Sequence, residues 1–154
     1  MFLEKGFIQR QFVIRNTKNN SCHCAIQFHI ENWSDDGVIQ HPHTILDVIE
    51  NVIKVKRKSG EGPVVVHCSD TVSRSGVYCA VSNAIEQCKT EGVVDVFQAT
   101  KAVRLHKPGA VTTLNQYNTI HEVILAYFEM HSIYSNFQFH NWLLAVLLIF
   151  VKVL

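Results

Sequence analysis

The chain has 154 residues, enough for one globular unit of ordinary size. Lys and Arg number 14 against 13 Asp and Glu, and a net charge of +1 argues against a nucleic-acid binder held by a strong basic field. A 47% hydrophobic content with three prolines argues against disorder, and five unpaired-looking cysteines behind a start with no apolar signal region argue against a secreted disulfide scaffold. The expectation is an intracellular, reduced α/β domain.

In chain order the first element reads as a β-hairpin. Phe12, Val13 and Ile14 suit a strand, and Asn16 to Asn20 carry turn chemistry. The return strand alternates, with Cys22, Cys24, Ile26, Phe28 and Ile30 on one face and His23, Gln27, His29 and Glu31 on the other. That period makes Cys22 and Cys24 small core residues. It argues against a zinc site with His23 or His29, because structural zinc prefers about two to four residues between cysteines. After the loop from Trp33 to Val38, the spacing of Ile45, Val48, Ile49, Val52 and Ile53 predicts a helix, ended by the basic run Lys54 to Lys58.

Pro63 to His67 is a short apolar run that reads as a strand buried on both faces. A second helix follows from Val77, Ala80, Val81, Ala84, Ile85 and Cys88. Asp95 with Gln98, and Thr113 with Gln116, are capping-box starts for two more. The tail differs, since Trp142 to Val151 is ten uninterrupted apolar residues. A bilayer span needs about 20, so a buried or interfacial helix is expected there. Residues 1–131 thus form the domain and 132–154 a hydrophobic tail.

The chemistry concentrates in His67-Cys68-Ser69-Asp70-Thr71-Val72-Ser73-Arg74-Ser75-Gly76. A cysteine at a strand end, five residues, then an arginine opening a helix can wrap backbone N–H groups around one tetrahedral oxyanion, with the helix dipole behind them. The same field favours a thiolate nucleophile. Arg74 can grip two phosphate oxygens in a plane, which a lysine cannot do.

His67-Cys68-x5-Arg74-Ser75-Gly76 resembles the signature of the cysteine-dependent protein tyrosine phosphatases. Trp33-Ser34-Asp35-Asp36-Gly37-Val38 resembles the family's mobile Trp-Pro-Asp loop. Asp95-Val96-Phe97-Gln98 and Pro108 to Tyr117 resemble a later helix and the glutamine loop. The likeness runs from about residue 9 to 130 and is closest to a second, membrane-distal domain of receptor-type enzymes. It implies the C-terminal half of an α/β phosphatase domain: a mixed sheet, a Cys-x5-Arg phosphate loop between strand and helix, and a helical bundle behind. The half before it, with the aromatic clamp for phosphotyrosine, has no counterpart in residues 1–10.

The resemblance also implies roles. Cys68 attacks phosphorus and forms a phosphocysteine. Arg74 and the loop residues Ser69, Asp70, Thr71, Val72 and Ser73 hold the phosphoryl oxygens, with Gln116 beside them. Asp35 is acid and then base. His67, Ser75 and Trp33 support the loop. No cofactor and no metal are implied. The partners are phosphotyrosine proteins, not nucleic acid, in the cytoplasm or on the cytoplasmic part of a receptor; membrane association would come through that receptor or the tail. Four departures from the pattern matter. Ser34 replaces a proline; Asp70, Thr71 and Ser73 replace small residues; Thr112 stands where a glutamine positions water; and the N-terminal half is missing. An inward Asp70 carboxylate would repel phosphate, and an outward one would not. Three readings follow: a phosphatase with impaired turnover, a pseudophosphatase serving as a binding or regulatory module, and, fitting the flanking motifs less well, a dual-specificity phosphatase.

Overall fold

The computed structural model describes residues 6–59 and 62–131. Strands β1 (Phe7–Arg15) and β2 (Cys22–Ile30) form an antiparallel hairpin, in register from Phe7 opposite Ile30 to Arg15 opposite Cys22. The turn is closed by its asparagines. Asn16 and Asn19 side chains accept the N–H groups of Lys18 and Ser21, and Asn20 takes the left-handed conformation that asparagine tolerates. Four helices follow: α1 (Pro42–Ser59), α2 (Ser73–Glu91), α3 (Val96–His106) and α4 (Leu114–Met130).

The helices bury one shared core. Ile45 and Leu46 of α1, Val77, Ala80, Val81 and Ala84 of α2, and Ile120 and Val123 of α4 are essentially inaccessible. Helix α2 packs on α3 and α4, α1 packs on α4, and β2 touches α1. The basic run does end α1, with Lys56, Arg57 and Lys58 in its last turn. Gly92 closes α2 in the left-handed conformation that glycine adopts without strain. The Thr113–Gln116 capping box is complete. Its counterpart at α3 is half made: Asp95 accepts from Gln98 N–H at 2.9 Å, but Gln87 takes the Asp95 N–H that Gln98 was expected to cover.

Three expectations are corrected. Pro63 to His67 forms no strand, and Val64, Val65 and Val66 are 45, 80 and 37% exposed. A buried strand needs ladder partners on its flanks, and among the described residues the only sheet is β1–β2. That sheet is antiparallel rather than mixed. Cys22 and Cys24 are exposed, because α1 meets only the base of the hairpin, near Ile30, and the alternating face has nothing to pack on farther out. The tail lies outside the described residues. Among those described, no helix is long and apolar enough to cross a membrane, and no cluster of three His, Cys, Asp or Glu is placed to hold a metal.

Candidate active site

The loop begins where the extended segment delivers Cys68 to the start of α2. Asp70 organises it. Its Oδ1 accepts the N–H groups of Val72 and Ser73, each at 3.0 Å, while the Ser73 hydroxyl donates to Oδ2. Cys68 Sγ stands 3.1 Å from the same Oδ1. The carboxylate therefore holds the N–H groups at the entry to the helix and points into the loop, a matter the sequence left open. The Ser73 hydroxyl first, then the Cys68 thiol and the two backbone donors, hold its pKa well below the usual carboxylate range. Thr71 pays for this turn with φ of +65°, a left-handed conformation that β-branched side chains resist.

On its other side Cys68 Sγ lies 3.3 Å from Ser75 Oγ and accepts the Ser75 N–H at 3.4 Å. Ser75 is buried. His67 is exposed.

Arg74 crosses from α2 to the segment between β2 and α1. Its Nη1 donates to the Trp33 carbonyl at 3.1 Å, and its Nη2 donates to Ser69 Oγ at 2.6 Å and pairs with Asp35 Oδ1 at 2.7 Å. Arg74 Nε and the indole N–H of Trp33 are buried and have no hydrogen-bond partner among the described residues. The Asp35 side chain is 87% exposed, whereas Trp33 is 7% exposed and bridges to Ile39. Between them Ser34, with its hydroxyl 2.7 Å from the Val38 carbonyl, also reaches the Asp36 carboxylate, and Asp36 accepts Val38 N–H at 3.0 Å. Those contacts, the Ser34 hydroxyl foremost, lower the pKa of Asp36.

The third wall is the turn before α4. Gln116, 3% exposed, accepts Thr112 N–H at 2.9 Å and donates to the Asp36 carbonyl at 2.9 Å. Its amide is thus engaged inside the protein. Arg104 shapes the same turn by donating Nε to the Ala110 carbonyl at 2.9 Å and Nη2 to the Val111 carbonyl, where Val111 has φ of +53°. Gly76 lets the turn approach α2, since a Cβ there would stand 3.0 Å from Ala110 Cβ.

A family model for protein-tyrosine phosphatase matches residues 2–126. The chain belongs to the protein-tyrosine phosphatase family. It is 35% identical over 134 residues to receptor-type tyrosine-protein phosphatase alpha of Mus musculus, covering 87% of this chain and 16% of that protein. It is 38% identical over 112 residues to receptor-type tyrosine-protein phosphatase epsilon of Rattus norvegicus, covering 73% and 16%. Tyrosine-protein phosphatase Lar of Drosophila melanogaster shares 34% over 128 residues, covering 82% and 6%. The chain thus spans about a sixth of the length of the first two.

The structure joins Cys68, Asp70, Ser73 and Ser75 in one set of contacts and Arg74, Ser69, Trp33 and Asp35 in a second, the two meeting only as neighbours along the chain. Thr71 contributes backbone shape, and Val72 its N–H group. Gln116 joins through Asp36, a residue given no role on sequence grounds. Arg104 was also missed. A cation in the last turn of α3, just before Pro108-Gly109, was the signal available.

Proposed function

We propose that this chain carries a cysteine-dependent phosphotyrosine-phosphatase site whose turnover is held down by its own Asp70. The observation that carries this reading is the Asp70 carboxylate on the N–H groups of Val72 and Ser73, with Cys68 Sγ 3.1 Å away. Backbone donors at the start of a helix are the natural cradle of a phosphoryl oxygen, and here a carboxylate oxygen already satisfies two of them. A phosphate must displace Asp70 or bind beside a like charge.

With the cradle free, Cys68 is the nucleophile, its sulfur attacking phosphorus as the tyrosyl oxygen leaves. Asp35 is the proton donor to that oxygen and then the base for water. Arg74 holds two equatorial oxygens, and Ser75 steadies the departing sulfur. Phosphotyrosine-bearing proteins of the cytoplasm are the partners.

Asp70→Ala removes both the charge and the oxygen that occupies the Val72 and Ser73 N–H groups. We expect its para-nitrophenyl phosphate turnover to exceed that of the unaltered chain at least tenfold, and Cys68→Ser in the same background to abolish the gain. No gain in a folded Asp70→Ala variant overturns the reading. A second reading, a pseudophosphatase that binds without turnover, is favoured by Arg74 being paired with Asp35. Phosphotyrosine-peptide binding by Asp70→Ala without a para-nitrophenol burst would establish that one instead.

A further inference from the structure

The segment from Trp33 to Val38 is a turn built on itself. Gly37 N–H reaches the Ser34 carbonyl at 3.1 Å, and the Asp36 carboxylate takes Val38 N–H at 3.0 Å. Three successive anchors fix this turn to the body. The Trp33 carbonyl and the Asp35 carboxylate go to Arg74, and the Asp36 carbonyl goes to Gln116. The anchors differ in kind. Asp35 is largely exposed, so its ion pair is soft and screened by salt. Gln116 is buried, and breaking its bond leaves an amide donor without water.

The fit around that buried bond is close. Gly37 has φ of +85°, and a Cβ there would stand 2.6 Å from Gln116 Cγ. Gln116 is itself pinned, because its oxygen accepts Thr112 N–H and its own backbone N–H donates to Thr113 Oγ at 3.2 Å.

We propose that Gln116 is a positioning residue that locks the segment 33–38 onto Arg74 before any ligand arrives, so that Asp35 rests as a built-in competitor for the guanidinium. Asp35 as acid rests on the phosphatase reading; the lock itself does not. Gln116→Glu isolates it, since a carboxylate still accepts Thr112 N–H but no longer donates to the Asp36 carbonyl. Trp33 reports the position of the segment once the other tryptophan is removed by Trp142→Phe.

In the full chain with Trp142→Phe, acrylamide quenching of Trp33 should be that of a buried indole. A Stern–Volmer constant near that of free tryptophan overturns the proposal without any further variant. Gln116→Glu should raise the constant at least threefold while the helical circular-dichroism melt stays cooperative. Gln116→Met, which keeps volume but neither side-chain bond, should do the same. Asp35→Asn should change it less than 1.5-fold. Unchanged quenching in both Gln116 variants, or equal opening by Asp35→Asn, refutes the assignment. None of these readouts needs turnover, so loss of the phosphatase reading leaves them intact and their failure leaves that reading intact.

Discussion

The helical half and the strand half of this molecule solve the backbone problem differently. In α1, α2 and α4 each interior N–H finds its partner inside the helix, so one buried stripe is enough, and Ile45, Val77 and Ile120 lose all contact with water. In the hairpin and in the segment Pro63 to His67 the backbone needs neighbours. The hairpin has one, the segment has none among the described residues, and Phe12, Val13, Ile14 and Val65 stay open to solvent. Equal hydrophobicity therefore means different things in the two halves: core in one, unclaimed surface in the other.

The strongest test of that contrast pairs two truncations. Ile120→Ala should cost about 2–5 kcal/mol of unfolding free energy by urea titration, whereas Val65→Ala should stay within about 0.5 kcal/mol. Comparable losses would mean that Val65 is buried in solution. A smaller effect lies at the seam between the halves. Thr71 holds φ of +65° without being glycine, and Thr71→Gly should stabilise the chain by about 1 kcal/mol, the left-handed cost less the added entropy of the unfolded state. A loss in the same titration would show that the threonine side chain contributes contacts that outweigh its strain.

The smallest effect is a pH dependence. Folding lowers the pKa of Asp70, so its contribution is fully present above the unfolded value of about 4 and is lost as pH falls through the lower folded value. The stability difference between the unaltered chain and Asp70→Asn should hold from pH 7 to about pH 4 and shrink toward pH 2. A difference that is flat down to pH 2 would place the Asp70 carboxylate outside the cradle.

The same contrast decides what could be read from sequence. Helices and their caps follow from residues three and four apart, and α1 stops and α4 starts where Lys58 and Thr113 indicate. The hairpin was visible in its alternation and its asparagines. Val64 to Val66 misled because an apolar run states a preference for burial and says nothing about whether neighbours exist. Cys22 and Cys24 misled for the same reason. At the site, the Cys68–Arg74 spacing drew the reading to this segment, and Thr71 and Asp70 were visible as departures. The direction of the Asp70 carboxylate was not, because inward and outward rotamers share one sequence. Nor was the engagement of Gln116 with Asp36, a contact between residues with no local relation.

That last contact has a consequence for how the site comes into being. Asp36 and Gln116 are 80 residues apart, and closing a flexible loop of that length costs about 4 kcal/mol by the logarithmic rule before its fixed term. One hydrogen bond cannot offset that; the docking of α1 and α2 on α4 must do so first. A peptide spanning residues 62–76 would hold every letter of the signature and still lack the third wall of the site, which comes into existence only with the assembled helices.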